Sequence, residues 1–414
     1  MLRHSCILGM PVGKERIAMQ ALAQSVTGIS RSPIRLILDR AAAFPDAIHL
    51  EIGQPDFEPP AHVIDAAVRA ARNEYTGYTA NAGMPALREA VVVKLARENN
   101  LHVSPQNIMV TVGAMQAVFS TMTVLLNPGD EILLPDPGYG NFAMAARLNH
   151  AVPRFYPTVA TRGFEPDMAA LERMVNDRTK ALFINSPCNP TGAVYSEATL
   201  RACLEFCRRH DLYLVSDETY DRLVYEGQHI SPAQWDDEGR VISIFTTSKT
   251  YAMTGWRVGF AVANDQVISA MTKIQEPTTS CVNTVAQHAA VAALLGPQDC
   301  VASMRQEYQF RRDLALALAT DNELSVSVPH GAFYMLVDIS GQPADSVRFA
   351  CDLVDAEHLA VAPGRSFGDQ SDHYVRLSFC ARVDSLQAGI PRLANYLHRA
   401  IETTGPSYSR PVAA

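Results

Sequence analysis

The feature that most limits what this chain can fold into is the alternation of strand-like and helix-like segments through its middle. Residues 108–112 (IMVTV) form an apolar, β-branched run, Gly113 follows, and Met115, Val118, Phe119, Met122, Leu125 and Leu126 then recur at helical spacing. The predicted helix stops at NPGD (127–130), and residues 131–134 (EILL) begin a strand predicted to end at Pro135 and Pro137. Further short apolar runs at 181–185, 212–217, 241–247 and 258–263 read as buried strands, several of them separated by helical stretches such as 199–210. Strand and helix in alternation predict an α/β fold whose sheet is mostly parallel and covered by helices on both faces.

After about residue 296 the texture changes to a long helix over 299–319, strand-like SVSV and FYMLVDI, a helix from 345 and a strand at HYVRLSF. That pattern predicts a smaller α+β unit. No repeat or long linker interrupts the chain, so the helical segment before residue 46 is expected to join this unit, which is then built from both chain ends. The expected division is 1–46 for the N-terminal extension and helical part of the small domain, 47–296 for the large domain and 297–414 for the small domain. A chain of 414 residues suits two domains and can bury a deep site.

Composition narrows the partners. With 48% hydrophobic and 19% charged residues the chain is balanced like an ordinary globular protein. A net charge of -8 and a pI of about 5.8 give no footprint for nucleic acid or an anionic membrane, so small molecules are the expected partners. Eight cysteines without a C-x-x-C pair read as reduced thiols, and the twelve histidines show no zinc-binding arrangement. The opening MLRHSCILGM is too short an apolar run for a secretory signal, and no span reaches the roughly 18 apolar residues of a membrane helix. The cytoplasm is the expected compartment. Gly9, Pro11 and Gly13 make the first residues a loose extension.

Three segments carry chemistry. Lys249 lies between two strand candidates in TTSKTYAMTGWRVG (246–259); buried there, it is costly as an ion and natural as a neutral amine or a covalent imine. SPCNPTG (186–192) follows the strand ALFIN, and Asp217 to Tyr220 (DETY) end the strand at 212–217, where a carboxylate is well placed for a ligand. Singly, each has a bland explanation: a lysine in a surface turn, strong turn formers, or an acidic residue that keeps a strand end soluble.

Together with HLEIGQPDF (49–57), YTANAGMPALREA (78–90), PDPGY (135–139) and VRLSF (375–379), these segments resemble, in order, the class I and II aminotransferases of pyridoxal 5'-phosphate (PLP) fold type I. The resemblance leaves out only the first 15 or so residues and the last dozen. It implies a PLP-dependent transfer of an amino group between an amino acid and a 2-oxo acid. By it Lys249 matches the Schiff-base lysine and proton carrier, Asp217 the partner of the pyridinium nitrogen, Asn189 and Tyr220 the donors to the ring 3'-oxygen, and Tyr139 the aromatic stacked on the ring. Arg257, Thr246 and the backbone of Gly113, Ala114 and Met115 match the phosphate cup. Many relatives carry a hydroxyl or a second glycine where Ala114 and Met115 stand here. Arg376 matches the arginine that grips the substrate α-carboxylate, Gly53 a glycine approaching the same group, and Phe333 an aromatic wall. The resemblance also implies a homodimer with shared sites, in which Tyr78, at the start of a Y-x-x-x-x-G-x-x-x-L-R segment, reaches the partner's cofactor phosphate.

Carbon-sulfur lyases and cyclopropane-forming synthases share this fold, lysine and arginine, but AMTGWRVG after the lysine looks like the aminotransferase version. A PLP-sensing transcription regulator would need a basic DNA-binding module, and the enzyme-like region here begins by about residue 30. Residues 275–287 hold no arginine to match one dicarboxylate-selecting position of relatives, which favours neutral or aromatic substrates. Arg365, in APGRSFG, reads equally as a contact for an acidic side chain or as an exposed loop arginine.

Overall fold

A computed structural model describes residues 20–73, 75–342 and 345–404, with side chains described to Arg399. The loose N-terminal extension expected above lies outside the described residues. In chain order the strands are β1 (Ile48–His49), β2 (Ile108–Thr111), β3 (Glu131–Asp136), β4 (Val152–Val159), β5 (Glu165–Pro166), β6 (Thr179–Asn185) and β7 (Tyr213–Asp217). Then come β8 (Val241–Thr246), β9 (Gly259–Val262), β10 (Tyr334–Asp338), β11 (Leu359–Ala360), β12 (Ala362–Pro363) and β13 (Tyr374–Ser378).

The large sheet has the order β2-β9-β8-β7-β6-β3-β4-β5. Its centre, β4-β3-β6-β7-β8, is parallel throughout, while β5, β9 and β2 add antiparallel edges. Helices Asn141–Leu148 and Glu197–Arg209 make the parallel connections from β3 to β4 and from β6 to β7, whereas β7 reaches the parallel β8 through a loop holding the 3-10 turn Pro232–Trp235. From β8 the chain turns straight back into the antiparallel β9, Thr246 opposite Gly259, and the segment bearing Lys249 is the irregular loop between them. Both faces are covered. Ile108 and Val110 of β2 pack with Leu87 and Val91, whereas Met109 packs on the other side with Ala117 and Met122. This double burial is why these strands read as continuous apolar runs.

The smaller unit is an antiparallel sheet, β10-β13-β12, beside the parallel pair β1 and β11. Ile37 and Ala41, one helical turn apart on the helix Pro33–Ala41, enter the same core as Leu353, Val375, Leu377 and Leu386. The chain's beginning and end therefore share one apolar core.

Three local expectations need correcting. Strand β3 does not end at Pro135 but continues to Asp136, with Pro135 opposite Tyr156. Glu131 N–H points toward the β6 side, and by alternation so does the N–H that Pro135 lacks; pairing with β6 has already stopped at Leu133, so no ladder bond is lost. Strand β4 went unread because Pro153 and Pro157 interrupt it and its first half is largely exposed. SVSV contributes only the bridge between Val326 and Val337. Among the described residues no helix is long and apolar enough to cross a membrane.

Candidate active site

The carboxyl ends of β3, β6, β7 and β8 open toward one cavity of about 430 Å³, the place where open α/β sheets present ligand-binding loops. Of the residues singled out in the sequence, Gly113, Phe333, Tyr78 and Arg365 do not line it, and the other candidate site residues do. Lys249 Nζ donates to the Gly53 carbonyl at 2.7 Å. Burial lowers its pKa to about 8; Arg257 and Arg376 push the same way, and Cys380 opposes them.

Asp217 ends β7 and is buried, with Thr219 N–H donating to its Oδ1 at 3.0 Å. Burial pushes its carboxyl up to about 6, so the site presents a carboxylate that gains from a cationic partner. Asn185, paired with Asp217 across β6 and β7, donates to the Asp217 carbonyl at 3.0 Å and accepts from the Asn189 amide at 2.9 Å. Asn189 Oδ1 in turn accepts from Arg376 Nη1 at 2.9 Å, which leaves the side-chain nitrogen Nδ2 of Asn189 to donate elsewhere. Arg376 Nη2 donates to the Glu51 carbonyl, while its buried Nε has no partner.

Opposite these groups the helix Gly113–Leu125 begins. Gly113 sits behind the cavity wall at φ 71°, and a Cβ on it would lie 2.3 Å from Arg257 Nη2. A Cβ on Gly259 would lie 2.7 Å from the Gly113 carbonyl carbon and 2.8 Å from the Ala114 nitrogen. Only glycines let the guanidinium and the helix start come this close. Arg257 adopts the left-handed φ of 56° and donates to the Thr254 carbonyl at 2.8 Å, and Thr246 Oγ1 meets Ser248 Oγ at 2.9 Å. Free amides at a helix start, a guanidinium and two hydroxyls form a cradle suited to a phosphate. A cradle that a Cβ would fill, a buried carboxylate seeking a cation, a near-neutral amine and an unpartnered guanidinium nitrogen all fit PLP with a bound carboxylate substrate.

Phe333 lies one layer behind the wall, fully buried, with its ring 5.7 Å from Lys249 Nζ. Its neighbour Tyr334 faces the cavity instead: its hydroxyl is 2.8 Å from that of Tyr220, and the Arg376 guanidinium lies 4.2 Å over its ring. Tyr78 is 92% exposed and away from the cavity. Arg365 is engaged by Asp369 and Asp372 of its own loop at 3.2 and 3.5 Å and does not line the cavity. Besides Tyr334, the sequence reading passed over Ser248, Asn185 and Arg35. The adjacency of Ser248 to the lysine and the place of Asn185 at a strand's carboxyl end were available signals.

Residues 45–390 match the sequence profile of the family described as aminotransferase class I and II. The chain belongs to that family. This aminotransferase is 39% identical to a probable aspartate/prephenate aminotransferase of Thermus aquaticus, over 92% of this chain and 100% of that protein. It is 40% identical to the aspartate/prephenate aminotransferase of Thermus thermophilus, over 86% and 92% respectively. The structure of an alanine aminotransferase from Pyrococcus furiosus superposes with a TM-score of 0.88 at 30% identity, covering 92% of this chain and 100% of that one. The aminotransferase described here is accordingly PLP-dependent and catalyses transamination.

Proposed function

We propose that this aminotransferase takes the amino group from an acidic amino acid, aspartate foremost, and passes it to a 2-oxo acid. The observation that carries the site assignment is the convergence of Lys249, Asp217 and Arg376 on one cavity beside the phosphate cradle. When bound, PLP supplies an aldehyde that captures amino groups and a ring that takes up electron density as the substrate Cα–H bond breaks. Lys249 Nζ would hold the aldehyde carbon and would carry the proton at the substrate Cα. Both duties need an uncharged amine, and a pKa of about 8 supports them. Asp217 would keep the ring nitrogen protonated, Asn189 and Tyr220 would donate to the 3'-oxygen, and Tyr139 would pack on the ring. Gly113, Ala114 and Met115 amides, Thr246, Ser248 and Arg257 bind the phosphate. Arg376 binds the α-carboxylate and so sets which Cα bond stands across the ring. The acidic donor is supported by the relatives named for aspartate and prephenate.

The same proposal assigns a cytoplasmic homodimer, with Tyr78 reaching the partner's phosphate; the near-complete exposure of this tyrosine on its own chain supports that role. The unpaired thiols of the described cysteines support a reducing compartment. The division at residues 46 and 296 is proposed with it, supported by Ile37 and Ala41 packing with the C-terminal core.

The test adds single amino acids to the purified holoenzyme and follows the visible absorbance of the bound cofactor. Rapid loss with aspartate and glutamate is expected. Loss with neutral amino acids alone rejects the acidic donor, and loss with none rejects the site assignment.

A further inference from the structure

Three arginines line the cavity, and two have defined tasks. Arg257 is held against the helix start by the Thr254 carbonyl, and Arg376 is fixed by Asn189 and the Glu51 carbonyl. The third, Arg35, has a side chain with no hydrogen bond or ion pair to any described residue. It comes from the helix Pro33–Ala41 and reaches the wall alongside Ser32, Ile34 and Leu38. Its positive charge, like that of Arg376, acts on the Tyr139 hydroxyl against the upward push of burial.

The charges on this wall do not balance. Asp217 and Glu51 are the carboxylates that line the cavity, and Glu51 is already engaged by His49 at 2.8 Å. A substrate with one carboxylate satisfies Arg376 and leaves Arg35 unmatched. The two guanidiniums also ride on one body: Ile37 and Ala41, on the helix of Arg35, share a core with Val375 and Leu377, the neighbours of Arg376. The main-chain positions that carry the two guanidiniums are therefore held on one packed body, while the exposed Arg35 side chain is free to adjust to the second carboxylate.

We propose that Arg35 binds the side-chain carboxylate of a dicarboxylic amino acid or 2-oxo acid and is the specificity-determining residue of this site, an inference that rests on the acidic donor proposed above. Arg365, the alternative contact in the sequence, is occupied by Asp369 and Asp372.

The test compares wild-type holoenzyme with R35Q and R35K, using aspartate against alanine as donors and succinate against propionate as unreactive ligands in calorimetry. In R35Q the ratio of kcat/KM for aspartate to that for alanine should fall roughly 10- to 100-fold, the worth of a charge-assisted hydrogen bond, and succinate should lose affinity by a similar factor relative to propionate. R35K, keeping the charge without the fork, should fall between. Ratios unmoved by R35Q, whether both donors suffer alike or neither does, overturn the assignment while wild-type preference for aspartate leaves the acidic-donor reading standing. A wild-type enzyme that ignores aspartate and succinate overturns both.

Discussion

The two walls of the cavity are built differently. The cofactor wall is close-packed main chain: Gly259 lies against the Gly113–Ala114 peptide, the Gly113 backbone lies against the Arg257 guanidinium, and Arg257 itself holds a left-handed φ. The substrate wall is made of long side chains, Arg376, Tyr334 and Arg35, with one buried guanidinium nitrogen unpartnered and one arginine unpaired. A group that never changes, such as a phosphate, rewards rigid contacts of small tolerance. Ligands that alternate between two shapes at each turnover call for contacts that can adjust. The difference teaches where variation is affordable: specificity can drift on the second wall without disturbing the first.

The largest expected effect lies where the walls meet. Lys249→Ala should slow amino transfer by about 10⁴-fold or more, because the covalent and proton-moving roles vanish together, while PLP still binds through the cradle. Single-turnover kinetics and cofactor content check this; a variant within tenfold of the parent would remove Lys249 from the mechanism. Next, Arg376→Lys should raise KM for amino acids by roughly 10- to 100-fold, since a point charge cannot reproduce a two-oxygen fork. Its PLP affinity should stay near the parent's, and a comparable loss of both would erase the distinction between the walls.

A matched pair of glycines sharpens the contrast. In Gly259→Ala the new methyl meets immovable backbone at 2.7 Å, so about 1–3 kcal/mol of strain should appear, read as weaker PLP binding in a fluorescence titration. In Gly53→Ala it meets the Tyr334 hydroxyl at 1.8 Å, the tip of a side chain, and the loss should fall on substrate KM. The opposite assignment of the two losses would defeat the comparison.

The smallest effect is in pH. Asp217 becomes anionic as pH rises through about 6, and Lys249 loses its proton through about 8. Recombination of apoprotein with PLP should therefore quicken from pH 5 upward and level off above about 8. A rate still climbing toward 10.5, the ordinary lysine value, would show that burial does not depress this amine.

Much of the site was legible because its parts are local. The lysine loop stands between two strands, and Asp217 and Asn189 stand at or just beyond strand ends, all readable from short runs. What was not legible depends on facing and on distance. Both Phe333 and Tyr334 are buried at the start of β10, a strand covered on both sides, so no alternation says which ring looks into the cavity. Arg35 reaches Arg376's side of the site from the far end of the chain, through a shared core no local pattern displays. Strand β4 hid behind two prolines, which it tolerates because its outer side pairs with β5 only at Thr158 and Val159.

The segment from Glu51 to Gly53 holds two of the cavity's cations by main-chain oxygens: Glu51 accepts from Arg376 and Gly53 from Lys249. Main-chain carbonyls are the same in every amino acid, so no codon change at positions 51 to 53 deletes either acceptor. Within this segment the resting poise of both cations is in that sense shielded from point mutation, and a substitution there acts by bending the main chain, as a methyl on Gly53 would do.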